Sequence, residues 1–124
     1  MKVELEAVYQ SELMANTDLH AGGLFFCIIY VNCLTFEKNG QVILTQKIID
    51  PFRPMDPYDV KQIENFKSMG KYYENDRGYL ICDFEDIFVK LTGMFTIKNP
   101  DLIVFHAFSK RLDKQWSELY KIVV

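Results

Sequence analysis

Residues 87–98 read IFVKLTGMFTIK, and this stretch decides the fold class. Apolar residues or glycine occupy every second position from Ile87 to Ile97, and four of the six alternate positions from Phe88 to Lys98 are Lys or Thr. A period of two is typical of a β-strand, because successive side chains of a strand point to opposite faces. The pattern predicts a strand with one face in the core and the other mostly in water.

Seven further segments have the length and the composition of strands. They are residues 3–9, 24–37, 41–49, 70–75, 79–85, 102–111 and 116–123. The polar stretch 10–18 is expected to end the first of them. Asn39-Gly40 lies between two apolar runs and predicts a hairpin with a type I′ turn, which needs positive φ at both central residues.

Residues 50–69 follow a different pattern, with prolines at 51, 54 and 57. Asp56 can act as the N-cap and Pro57 suits the first helical position. Val60, Ile63 and Phe66 are spaced three apart, which places them on one helix face. We therefore predict one short amphipathic helix over residues 56–67.

These elements predict an all-β protein: an eight-stranded antiparallel up-and-down barrel with one short helix between the third and fourth strands. Ten Phe, seven Tyr and one Trp in 124 residues agree with a β-rich core. The length supports one hydrophobic core, so residues 1–124 are expected to form a single domain. A barrel of this size holds packed side chains or one small ligand.

Several motifs resemble those of small lipocalin-like β-barrel proteins of unassigned function. They are LEAVYQSE (5–12), LTFEKNGQVI (34–43), MGKY (69–72), Thr92-Gly93 and ELYKIV (118–123). Asn39 stands where an aspartate is usual, and residues 13–29 and 50–57 depart from the family pattern. The resemblance implies a lipocalin or fatty-acid-binding-like architecture, and it implies no site residues.

Charge and cysteine usage restrict the environment and the partners. The net charge of −3, with both signs interspersed, argues against a nucleic-acid partner. The longest apolar run, residues 24–31, is too short to cross a membrane as a helix, and the N-terminus lacks the apolar region of a secretory signal. Three cysteines within strand patterns favour reduced thiols, so we expect a cytoplasmic protein without disulfides.

The sequence offers no pattern for a metal or a cofactor. His20 and His106 lie far apart, no Cys-x-x-Cys pair exists, and the six glycines are scattered. A nucleophilic Cys82 assisted by His106 is disfavoured, because Asp83 would oppose formation of the thiolate. We expect no bound metal or cofactor.

Extending the alternation to the last two strands suggests a candidate ligand site. It places Leu102, Val104, His106 and Phe108 on one face of a strand, and Trp116, Glu118, Tyr120 and Ile122 on one face of the next. If both faces point inward, His106 and Glu118 require polar partners or a polar ligand, because unpaired burial is costly. With Tyr30, Tyr72 and Trp116 they form the predicted ligand-binding set. Alternatively, His106 is a satisfied core histidine, or the face assignment is wrong by one residue.

Three functions remain open on this basis. The first is a non-enzymatic module that binds a small apolar or amphipathic ligand in the barrel, with the helix as a lid or plug. The second is an interaction module with a solid core, whose outward-facing Phe88, Met94, Ile103 and Phe105 form a homodimer or partner surface. The third, an enzyme that uses His106 and Glu118, is the least favoured.

Overall fold

A computed structural model describes residues 3–19, 25–50, 57–96, 99 and 101–123 of the chain. This part of the chain contains nine strands and one α-helix. The strands are β1 (Val8–Ser11), β2 (Met14–Leu19), β3 (Phe25–Phe36), β4 (Gln41–Ile48), β5 (Lys67–Glu74), β6 (Leu80–Phe84), β7 (Val89–Phe95), β8 (Leu102–Ser109) and β9 (Lys114–Val123). The helix α1 (Pro57–Glu64) lies between β4 and β5, and a 3-10 turn (Glu85–Ile87) precedes β7.

The strands form one closed antiparallel sheet. From β3 to β9 each strand pairs with its neighbours in sequence, and β1 closes the sheet by pairing with both β3 and β9. β2 continues β1 along β3, so the two together act as one strand. The prediction of an eight-stranded antiparallel barrel with a helix between its third and fourth strands is confirmed.

The first strand begins and ends later than predicted, since residues 3–7 lie outside it, and it contains a bulge. Between the pairs Gln10 with Cys33 and Met14 with Tyr30, the first strand advances four residues while β3 moves back three. One extra residue is the signature of a β-bulge, which bends the strand at Glu12–Leu13. The prediction that residues 10–18 end the strand was wrong, because pairing with β3 outweighs the low β-propensity of this polar stretch.

The core lies on the inward faces of the strands. The alternation predicted for residues 87–98 is confirmed within β7, where Leu91 and Gly93 are buried and Met94 is exposed, but Ile87 lies in the 3-10 turn before this strand. Ile97, the last apolar position of that pattern, lies outside the described residues. On the outer face, Lys71 of β5 and Lys90 of β7 each pair with Asp83 of β6, which places opposite charges side by side.

On β8 the predicted face assignment was wrong by one residue. Ile103, Phe105 and Ala107 are fully buried, whereas Val104 and His106 are exposed. Both faces of β8 are largely apolar, so the hydrophobic pattern alone cannot distinguish them. The register pairs Phe105 with Gly93, whose missing side chain leaves room for the aromatic ring.

The predicted hairpin at Asn39-Gly40 is confirmed, but its turn type differs. Gly40 has φ +83°, and Asn39 is not among the described residues with positive φ. The loop consists of residues 38–40, closed by a hydrogen bond from Glu37 N to Gln41 O of 2.9 Å. A three-residue loop needs only its last residue in the left-handed region, and glycine occupies that region without strain.

The helix begins at Pro57, as predicted, and ends at Glu64, three residues earlier than predicted. Ile63 is its buried residue, and Phe66 after the helix packs against the core. The predicted cap, Asp56, lies outside the described residues. No helix in the described ranges is long and apolar enough to cross a membrane.

Candidate functional site

The barrel holds a cavity of about 320 Å³ at one end, which we call the helix end. This end carries α1 and the 3-10 turn Glu85–Ile87, and the turns at residues 37–40 and 75–78 lie at the opposite, hairpin end. The described residues that line the cavity are Met14, Tyr30, Asn32, Leu44, Gln46, Phe66, Ile87, Val89, Leu91, Trp116, Glu118 and Tyr120.

One side of the cavity is apolar. Leu44 and Leu91 form part of the buried core, and Phe66, Ile87 and Val89 pack against that core from the helix end. These residues come from β4, β7 and the two segments that follow α1 and β6. Their side chains provide a surface that favours the hydrocarbon part of a ligand.

The other side of the cavity carries a polar cluster centred on Glu118. Glu118 of β9 is only 8% exposed. Its Oε1 accepts hydrogen bonds from Asn32 Nδ2 and from the Tyr120 hydroxyl, both at 3.3 Å. Gln46 Nε2 donates to Asn32 Oδ1 at 3.1 Å, which extends the cluster to β4. A buried carboxyl group is tolerated only when such partners compensate for lost hydration.

The bulge of the first strand positions Asn32. The backbone N–H of Asn32 donates to Ser11 Oγ at 2.8 Å, and Ser11 Oγ donates to the carbonyl of Glu12 at 2.9 Å. The buried Ser11 hydroxyl therefore supplies the acceptor that a strand carbonyl would provide in a regular ladder. This contact fixes β3 at the residue whose side chain reaches Glu118.

The tyrosines of the cavity have perturbed acidity. Burial raises the pKa of Tyr120 far above its usual range, and the nearby Glu118 carboxyl raises it further. Burial is also the main cause of the raised pKa of Tyr30, with Glu118 as the second cause. Both hydroxyls remain protonated near neutral pH and can act as hydrogen-bond donors within the cavity.

The barrel wall is incomplete beside Glu118. β1 pairs with β9 from Val8–Val123 to Ser11–Tyr120, and the next contact, Glu12 N to Leu119 O, is 3.2 Å long. Beyond it, the described pairings of β2 involve β3 alone. A surface depression of about 240 Å³ lies at this gap, and Met14, Trp116 and Glu118 line both the depression and the interior cavity. We call this gap between β2 and the start of β9 the side opening.

The hairpin end is packed differently. A depression of about 380 Å³ lies there beside the β5–β6 turn, lined by Glu74, Arg77, Gly78 and Tyr79, by Leu80, and by Met94 and Phe95. Its rim consists largely of exposed turn residues, and the barrel interior behind it is filled by the aromatic core. Its volume is larger than that of the helix-end cavity, but its described lining contains no buried polar side chain that could orient a ligand.

Three of the five predicted ligand-binding residues meet in the cavity. Tyr30, Trp116 and Glu118 line it together, and Trp116 is 40% exposed, which places it at the mouth. The other two predicted residues are not brought to this cavity. Tyr72 lies in the hairpin half, where its ring packs edge-on against Phe36 and its hydroxyl donates to the Glu37 carbonyl.

His106 lies on the outer face of β8, contrary to the predicted inward orientation. Its Nε2 lies 3.1 Å from Gln115 Oε1, and its ring is exposed. Side chains of a strand alternate between its two faces, so an error of one residue on β8 assigned every side chain of this strand to the wrong face. His106 and Glu118 therefore do not form the buried pair that the prediction required.

Cys82 and His106 are likewise separated by the barrel wall. Cys82 is fully buried in the core, and burial raises its thiol pKa well above the usual range, whereas His106 faces outward. A nucleophilic cysteine needs a lowered pKa and access to substrate. Within the described residues, no group of three or more His, Cys, Asp or Glu side chains could hold a metal ion.

Sequence reasoning missed Asn32 and Gln46, which complete the polar cluster. Each is an inward polar residue in an otherwise apolar or alternating strand: Asn32 interrupts the run from Phe25 to Leu34, and Gln46 follows Leu44 by two positions. A polar residue at a core position of a strand is the signal that could have identified both.

Comparison of the chain with protein-family models, with curated proteins and with solved structures gives no significant match. The resemblance to lipocalin-like proteins therefore stays a prediction.

Proposed function

We propose that this protein is a non-enzymatic binding module that takes one small apolar or amphipathic ligand into the helix end of its barrel. The observation that carries the proposal is the cavity of about 320 Å³, because small-molecule sites begin near 300 Å³. Its apolar side and its Glu118 cluster match the two ends of an amphipathic molecule. The lipocalin-like architecture that the sequence motifs imply agrees with such a role.

The segment around α1 is suited to act as a lid in this proposal. Phe66 lies two residues after the helix and lines the cavity, and Ile63 holds the helix to the barrel through its buried side chain. The side opening provides a second route, since it connects the protein surface to Glu118. The free thiols of Cys27, Cys33 and Cys82 favour the reducing cytoplasm as the place where the protein works.

An interaction module is the alternative, and the structure offers it a smaller surface than the sequence suggested. Ile103 and Phe105 were predicted to face outward but are fully buried, which leaves Phe88 and Met94 exposed. Phe88 precedes β7 and Met94 lies near the end of this strand, so the two side chains are not direct neighbours. Met94 pairs with Val104 of β8, which is also exposed, so the surface that remains for a partner centres on these two side chains.

Titration with N-phenylnaphthylamine, a neutral fluorescent probe, tests the binding function. We expect saturable, one-to-one enhancement of its emission, because the apolar side of the cavity removes the probe from water. Filling the cavity through Val89→Phe should weaken binding at least about tenfold, or about 1.4 kcal/mol. Ile87→Phe is a second filling variant, for use if Val89→Phe does not fold.

Val104→Phe is the matched control, since Val104 lies on the outer face of β8 and is 39% exposed. It adds the same side-chain volume outside the barrel and should leave probe affinity unchanged. Thermal unfolding of each variant verifies that the barrel is intact. Absence of saturable binding to the folded wild-type protein, or equal weakening by the inner and outer variants, would refute the proposal.

A further inference from the structure

We infer that the ligand carries a protonated amine, or another cationic hydrogen-bond donor, at the end of an apolar body. This inference rests on the binding function proposed above and concerns the chemical class of the ligand. It follows from the charges and the unused hydrogen-bonding capacity of the groups that line the cavity.

The first observation is an unsatisfied oxygen. Both described hydrogen bonds to the Glu118 carboxyl group end on Oε1, and each is 3.3 Å long. Among the described residues no hydrogen bond reaches Oε2, although Glu118 is more than nine-tenths buried and lines the cavity. A carboxylate accepts about four hydrogen bonds in total, so this group retains capacity for a donor from the ligand.

The second observation is the absence of a counter-charge. Of the twelve described residues that line the cavity, none is Lys, Arg or His, and Glu118 is the only acid. Desolvated carboxylates are stabilised by an opposite charge that also donates hydrogen bonds. An ammonium group provides that charge together with three donors and no acceptor.

The third observation is the aromatic surroundings of the carboxyl group. Tyr30, Trp116 and Tyr120 line the same cavity as Glu118. Aromatic faces attract ammonium groups, and the attraction increases when the cation is removed from water. Trp116 at the side opening is placed to contact a cation on its way to the carboxylate.

The same residues disfavour an anionic ligand. A fatty-acid carboxylate would need a cationic partner, and the described lining provides none. Beside Glu118 it would instead meet a like charge in a poorly hydrated space, which raises the free energy of both groups. The barrel should therefore select amines over carboxylic acids that have the same hydrocarbon chain.

Displacement of N-phenylnaphthylamine by octylamine, octanol and octanoate tests this selection, because the three compounds share a chain and differ in the head group. Near neutral pH the amine is protonated and the acid is ionised. We expect octylamine to bind at least about tenfold more tightly than octanol, with octanoate weakest. In Glu118→Gln the affinity for octylamine should fall to that for octanol, while the affinity for octanol stays the same.

Glu4→Gln is the matched control. Glu4 is exposed before β1 and lines neither the cavity nor the side opening, so its substitution changes the net charge equally without altering the site. Its preference for octylamine should equal that of the wild type. The preference should also persist in added salt, because a buried ion pair is screened much less than a surface attraction.

The outcomes separate the two proposals. If the probe binds but the three compounds displace it equally or not at all, the amine inference fails and the binding function stands. A preference for octylamine that survives in Glu118→Gln, or that disappears in salt, also overturns the inference. If the wild-type protein binds neither the probe nor any of the three compounds, the binding function itself fails. The salt series on the wild-type protein decides the question even if Glu118→Gln does not fold.

Discussion

Two glycines set the distance between neighbouring parts of the barrel. A Cβ atom added to Gly70 would lie 2.5 Å from the backbone oxygen of Asp83, and one added to Gly93 would lie 2.5 Å from Phe105 Cε1. Gly70 is needed for close approach rather than for unusual backbone dihedrals, since its φ is outside the left-handed region. Gly40 is the opposite case, with φ +83° and nothing within 4 Å of an added Cβ.

Gly70→Ala should lower the free energy of unfolding by about 2 to 3 kcal/mol, because the Asp83 oxygen can move only with β6. Gly40→Ala, which adds the same methyl group in open space, should cost about 1 kcal/mol through its positive φ alone. Chemical denaturation of the two variants measures the difference. A loss for Gly70→Ala no larger than that for Gly40→Ala would show that the strands can separate freely at this point.

At the scale of elements, the bulge between β1 and β2 shapes both the barrel wall and the polar cluster of the cavity. It ends the pairing of the first strand with β9, which creates the side opening, and it brings Ser11 against the backbone of Asn32. The wall therefore opens at the place where the polar cluster is assembled. Loss of the Ser11 hydroxyl would leave the Asn32 N–H without its acceptor.

Ser11→Ala should lower the free energy of unfolding by about 1 to 3 kcal/mol, the usual cost of a buried donor left unsatisfied. Ser117→Ala on β9 is the control, since Ser117 is exposed and its change should stay within about 0.5 kcal/mol. Both variants are compared by urea denaturation. Equal stability of the two proteins would mean that the Asn32 N–H finds another acceptor.

The elements differ in how far the sequence predicts them. β7 was predictable because its two faces differ in polarity, and the β3–β4 hairpin because Asn39-Gly40 interrupts two apolar runs. The inward face of β8 was not predictable, since both of its faces are apolar. Its register depends on the space that Gly93, which has no side chain, leaves for Phe105. β2 was also missed, because a polar strand of this kind is stabilised by its partner β3 and not by its own composition.

On the scale of the whole molecule, one half of the barrel is filled and the other is hollow. The hairpin half contains edge-to-face aromatic contacts, with ring centroids 5.4 Å apart for Tyr9 and Phe36 and 5.1 Å for Phe36 and Tyr72. The helix half contains the cavity. The sequence predicted that Tyr30, Trp116 and Glu118 belong to this candidate site. It did not show which tyrosines lie in the filled half, because the height of a side chain along the barrel axis depends on the strand register.

Stability should fall as the pH rises above about 10. Burial raises the pKa values of Tyr9, Tyr30, Tyr72 and Tyr120 above the ordinary 10.0. At pH values between the tyrosine pKa of the unfolded chain and the higher pKa of the folded protein, the unfolded chain binds fewer protons, so a rise in pH favours unfolding. Below pH 10 the contribution of these tyrosines to stability is fully present. Denaturation at a series of pH values measures the slope, which should be shallower for Tyr120→Phe. An unchanged slope in that variant would place the titrating groups elsewhere.

The closure of the barrel by β1 and β9 has a consequence for biosynthesis. Val8 pairs with Val123 and Ser11 with Tyr120, so contacts at this seam join the described strand that is synthesised first to the one that is synthesised last. The strands from β3 to β8 can pair as hairpins while the chain is still growing, but the nascent β1 keeps an unpaired edge until β9 has emerged. Glu118 belongs to β9, so the polar cluster of the cavity is also completed only when this strand has been made.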